Sequence, residues 1–64
     1  MTWRLRLADE KTALDDKLAK LLSFIASAQF GALPREDQIL LQRQSGVMAE
    51  YSIILRDRLA RAKE

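Results

Sequence analysis

The sequence predicts an all-α fold, an antiparallel two-helix hairpin forming a single domain over residues 1–64, and three observations lead there. Apolar side chains recur at steps of three and four in two long stretches, which places them on one face of a 3.6-residue spiral. One break, containing Gly31 and Pro34, separates the stretches. The second stretch opens with carboxylates and closes with arginines, the order that suits a helix dipole.

Helix one is expected over about residues 3–28, with Thr2 as a plausible N-cap. Leu7, Leu14, Leu21 and Ala28 fall seven apart, and Leu18 and Ile25 fill the four-residue steps between them. Lys11 stands where a further apolar residue belongs. The seam is narrow, widened by Trp3 and Leu22, with Asp9, Glu10, Asp15, Asp16, Lys17 and Lys20 outside it. Asp16 and Lys20 have the favourable order for an ion pair one helical turn apart.

The turn is expected over about residues 29–34. Gly31 is the natural left-handed residue to end a helix. Pro34 suits the start of the next and pushes Leu33 out of helical angles. Phe30 and Leu33 are apolar in a turn, so they should fold under and plug the closed end.

Helix two is expected over about residues 34–62, about 40 Å long at 1.5 Å per residue. A short connection forces it to run antiparallel to helix one. Glu36 and Asp37 occupy its first turn, and Arg56, Arg58, Arg61 and Lys63 crowd its last. Its stripe of Leu40, Leu41, Val47, Met48, Tyr51, Ile54, Leu55 and Leu59, flanked by Ile39 and Ile53, is wider than one neighbouring helix needs. Gly46 interrupts it at a cost of about 1 kcal/mol relative to alanine, either as a tolerated surface glycine or as a point of close approach.

A chain of 64 residues buries only about 60% of the surface its unfolded form exposes. Scaffolds of this size add disulfides, a metal or a partner subunit, and this one has neither cysteine nor histidine. Self-association is therefore expected, as a four-helix-bundle dimer or a larger symmetric oligomer. Its interface would use Leu40, Val47, Met48, Tyr51, Ile54 and Leu55.

Several functions are set aside on composition. Without histidine or cysteine the commonest general base and the strongest nucleophile are missing, and Asp15–Asp16 and Glu36–Asp37 are adjacent residues that diverge on a helix. No enzyme activity is expected. No loop alternates acids with glycine, so no metal site and no cofactor is expected either. No segment has the length of a signal peptide's apolar run or a membrane span. Eleven basic and nine acidic residues give a net charge of +2, which disfavours nonspecific nucleic-acid binding.

Placement of the charge is more informative than its total. In a hairpin the start of helix one lies beside the end of helix two. Residues 1–9 and 54–64 carry six basic and three acidic groups, the remainder five basic and six acidic. Trp3, Arg4, Arg6, Arg56, Arg58 and Arg61 thus form a candidate ligand site: arginine grips phosphate through paired hydrogen bonds and Trp3 offers a stacking face. The plainer reading has the arginines satisfying the dipole and Trp3 closing the open end of the core. Gln44 and Tyr51, polar-tipped on the apolar face, mark a seam edge, a buried hydrogen bond fixing register between subunits, or a ligand pocket between helices.

Glu10 and Leu14, Lys17, Lys20-Leu21, Phe24-Ile25, Phe30, Leu33, Asp37-Gln38, Leu40-Leu41, Gln44, Met48, Tyr51, Ile54-Leu55 and Arg58 together resemble a family of short phage and prophage proteins, including one from crAss-like phages. The resemblance covers most of the chain. It implies a phage accessory protein in the host bacterial cytoplasm. Small phage proteins of this kind often counter host defences, some by binding a host protein and others as oligomeric sponges for cyclic nucleotide signals. The expected partners are accordingly the chain itself, a cyclic nucleotide, or a host defence protein docked on the apolar face of helix two.

Overall fold

A computed structural model describes residues 3–62. Three helices run in order: α1 over Trp3–Ile25, α2 over Ala28–Gly31 and α3 over Arg35–Arg61. Helices of 23 and 27 residues would span about 75 Å end to end at 1.5 Å per residue. The longest dimension of the molecule is 48 Å. The chain therefore turns back on itself, and α1 packs along α3.

Burial follows a strict heptad in both long helices. In α3 the residues not fully exposed are Gln38, Leu41, Ser45, Met48, Ser52, Leu55 and Leu59, at alternating steps of three and four. In α1 they are Leu7, Lys11, Leu14, Leu18, Leu21 and Ile25 with the same alternation, joined by Ala8 and Asp15. Such a repeat keeps one seam of each helix facing the other along its length. The expected seam of α1 is present from Leu7 to Ile25, Lys11 included, but Ala28 is exposed and belongs to α2. Trp3 and Leu22 stay exposed rather than widening it, and Asp15, expected outside, is half-buried.

The seam is thin. Leu55 is fully covered, Leu7 is 3% exposed, and Phe30 closes the turn end at 9%. Phe30 meets Phe24 edge to face, ring centroids 6.3 Å apart, the arrangement that ring quadrupoles favour. Leu33 is half-buried beside them.

The turn departs from expectation in two ways. Helix one ends at Ile25 rather than near residue 28 because Ser27 intervenes. Its hydroxyl donates to the Phe24 carbonyl at 2.6 Å, its amide donates to the same oxygen at 2.9 Å, and its backbone is extended. Serine competes with the helix for its own carbonyls in this way. The second departure is Gly31, which is not left-handed: no described residue has a positive φ. Instead α2 closes through tight bonds from the Ala32 amide to the Gln29 carbonyl and from Leu33 to Phe30, both 3.1 Å.

Pro34 stands just before α3, and its carbonyl accepts from Asp37 and Gln38 at 3.0 and 3.1 Å. Gln38 then reaches back, its Nε2 donating to the Leu33 carbonyl at 2.9 Å and to the Gly31 carbonyl at 3.4 Å. One side chain thereby satisfies two turn oxygens. The intrahelical ion pair that forms in α1 is Lys11 with Asp15 at 2.7 Å, not the expected Asp16 with Lys20. Thr2 lies outside the described residues.

Candidate functional site

The folding back of the chain brings the first turn of α1 and the last turn of α3 to one end of the molecule. Trp3 is 56% exposed there, and Arg4, Arg6, Arg56, Arg58 and Arg61 are all exposed. Lys63 falls outside the described residues. The arginines are not equivalent, because Arg56 folds onto its neighbour: its Nε and a terminal nitrogen donate to Asp57 at 3.2 and 3.1 Å. An ion pair this exposed contributes little to stability, but it occupies the guanidinium. Arg58 and Arg61 sit in the last turn of α3, where their charge complements the helix dipole.

No cavity forms among the described residues. An anion at the arginine end of one chain would therefore meet no cavity among the described residues.

The expected interface residues divide into two groups. Leu55 and Met48 belong to the seam between α1 and α3, so they are spent within the chain and Leu55 offers no free surface. Leu40, Val47, Tyr51 and Ile54 are 57%, 69%, 40% and 47% exposed. They lie one residue ahead of seam positions and form a second stripe beside the first. The sequence reading merged the two because Gln38, Ser45 and Ser52 are polar and hid the true seam. Leu41, Met48 and Leu55 repeat every seven residues, but so do Leu40, Val47 and Ile54, so spacing alone does not separate the two stripes.

Gln44 is exposed and donates weakly to the sulfur of Met48 at 3.7 Å, bridging the edge between the stripes. Tyr51 lies on the exposed stripe. A polar contact between the helices was missed by sequence reasoning altogether: Ser52 donates to Oδ1 of Asp15 at 2.5 Å while Lys11 holds Oδ2. These two hydrogen bonds, Lys11 first, hold the Asp15 carboxyl below its ordinary value of 3.8, against a smaller opposing effect of burial. One oxygen of this carboxylate thus bonds across to α3 while the other is held within α1.

A family model, Sequestin, matches residues 1–61. The chain belongs to the Sequestin family. Comparison with curated proteins and with solved structures gives no match. The Sequestin match spans α1, the turn and α3 together, so the family pattern covers both the arginine end and the exposed stripe. Among the described residues of this Sequestin chain no cluster of acids could hold a metal ion, and no helix is long and apolar enough to cross a membrane.

Proposed function

We propose that this Sequestin-family chain is a non-enzymatic binding protein that sequesters a small anionic ligand, a cyclic nucleotide or one of similar chemistry, within an assembly of several copies. The family name itself denotes sequestration, and the match runs over residues 1–61. The observation that carries the reading is the collection of exposed arginines and one exposed indole at a single end of the molecule. Guanidinium groups form bidentate bonds to phosphate, and an indole face stacks on a base. With no cavity among the described residues of one chain, enclosure of the ligand would fall between copies. In the setting implied by the resemblance to phage proteins, withdrawing such a ligand from solution is a counter-defence activity in the bacterial cytoplasm.

The experiment is calorimetry and thermal melting with a panel of cyclic mono-, di- and trinucleotides, with inorganic phosphate as the control. A ligand at 100 times its dissociation constant stabilises the protein by about 2.7 kcal/mol, a shift of several degrees. Arg58→Glu and Arg61→Glu should each weaken binding at least about tenfold, equivalent to about 1.4 kcal/mol. A panel that gives neither heat nor a melting shift removes this reading.

A further inference from the structure

We infer that the stripe of Leu40, Val47, Tyr51 and Ile54 is the docking face for a second copy of this chain, with the two α3 helices packed antiparallel to complete a four-helix bundle. The inference deepens the proposed assembly but does not rest on ligand binding. Its first support is spacing. Leu40, Gln44, Val47, Tyr51, Ile54 and Arg58 alternate steps of four and three, each one residue before a position of the seam that faces α1. One residue is about 100° around a helix. In a bundle of four, each helix meets its two neighbours at about that angle. Thus α3 carries two heptad seams side by side, and α1 covers only one.

The second support is area. The molecule exposes 4986 Å², whereas a compact monomer of 7.3 kDa exposes about 4200 Å². The excess, about 800 Å², is close to what one partner contributes to a stable interface.

The third support is charge, which selects both direction and register. Glu36 and Asp37 open α3, and Arg58 and Arg61 close it. Parallel pairing would set like charges together, whereas antiparallel pairing sets the acidic start beside the basic end of the other copy. The register that centres the apolar residues on the two-fold axis places Val47 against Tyr51 of the second copy and Ile54 against its Gln44. Leu40 then covers the aliphatic stem of the second copy's Arg58, whose guanidinium still reaches water. In this register Arg43 faces Asp57 of the second copy, twice by symmetry. Glu50 meets its own equivalent at the exposed rim, the one repulsive pair among the described residues. A shift by one heptad in one direction would lay Ile54 against a carboxylate, Asp37 of the second copy, and in the other it would set Val47 against Arg58 and carry Leu40 past the end of the second copy's α3.

Sedimentation and light scattering at micromolar concentration test the inference. The wild-type chain should have the mass of two chains or an even multiple. Val47→Glu should give a single chain that keeps its helical circular dichroism. Arg43→Glu should weaken association at least about tenfold, and adding Asp57→Arg to it should restore it to within a few-fold. Glu50→Gln should tighten association. If Val47→Glu loses its helix as well as its partner, the charge exchange decides, because it leaves the apolar surface intact. A monomeric wild type, an odd-numbered assembly, a Val47→Glu variant that stays dimeric, or an Asp57→Arg change that fails to restore association each overturns the inference, and a monomer would leave the stripe to a different protein. A dimer that binds no nucleotide upholds this inference while removing the ligand reading, and a monomer that binds one does the reverse.

Discussion

The hydroxyl of Ser52 donates a 2.5 Å hydrogen bond to Oδ1 of Asp15, thirty-seven residues earlier in the chain. It is a polar link across the seam between the long helices, and it has a single compatible register. Leucines can slide past one another at modest cost, but a slip of one heptad would separate this pair and leave both groups less well satisfied. Stability in the seam comes from Leu7, Leu14, Leu55 and their neighbours, whereas alignment comes from Asp15 and Ser52.

Replacing Ser52 with alanine should therefore lower stability by about 1 kcal/mol, the usual net contribution of one hydrogen bond. For a domain this small that is a fall in melting temperature of about 4–8 °C. Thermal denaturation of Ser52→Ala at neutral pH checks it. An unchanged melting temperature would mean that the bond does not persist in solution.

The same carboxylate predicts a pH dependence. Asp15 is held below its ordinary value of 3.8 in the folded chain, chiefly by Lys11 and then by Ser52. Its contribution is fully present above the unfolded value and is lost as pH falls through the lower, folded one. The stability gap between wild type and Asp15→Asn should thus be constant from neutral pH down to about pH 5 and close progressively below that. Urea denaturation of both proteins across that range provides the measurement. A gap that stays constant into strong acid would contradict the assignment.

Much of this architecture was legible in the sequence, and the residues that were not share a physical cause. The seam of α1 could be read because five of its six positions are leucine or isoleucine, and Lys11 announced itself by interrupting them. The seam of α3 could not be read cleanly. Three of its seven positions, Gln38, Ser45 and Ser52, are polar, while Leu40, Val47, Tyr51 and Ile54 offer a stronger apolar signal one residue away. Hydrophobic periodicity reports every apolar face a helix carries, not the particular one that its own chain covers. The end of α1 was obscured differently, since Ser27 acts through a hydroxyl bond that no periodicity reveals. At the candidate site the arginines and Trp3 were visible from charge placement, but the hold of Asp57 on Arg56 depends on rotamers.

Gln38 is the residue to alter at the closed end. Its amide donates to the carbonyls of Leu33 and Gly31, which have no helical partner of their own in this turn. Gln38→Leu would fill the seam position with an apolar group yet leave those oxygens to water. A loss of about 1 kcal/mol is expected despite the gain in hydrophobicity. If the leucine variant proves more stable than wild type by chemical denaturation, apolar packing outweighs capping at this position.

Leu55 and Ile53 separate interior from surface two residues apart. Leu55 is completely covered, so Leu55→Ala should cost about 2–5 kcal/mol, enough to unfold much of so small a protein at 25 °C. Ile53 is 42% exposed and should tolerate alanine with a loss below about 1 kcal/mol. Circular dichroism at a common dilution distinguishes them. Comparable losses would mean that a second chain covers Ile53, on the side away from Leu40 and Val47.

Gly46 tests that other side directly. A Cβ built there meets no atom within 4 Å, and its φ is an ordinary helical one. Gly46→Ala removes backbone freedom from the unfolded chain and adds nothing that clashes. It should stabilise α3 by about 0.5–1 kcal/mol. Residue 46 lies about 100° from Val47, on the side of α3 away from the proposed contact between copies. The alanine variant should therefore melt higher while its assembly mass stays the same. Were Gly46→Ala instead to lower the melting temperature or change that mass, a backbone or ligand must approach the glycine closely. The contact between copies would then have to be sought on the face that carries Gly46, Ile39 and Ile53, because only steric intrusion turns a helix-favouring substitution into a destabilising one.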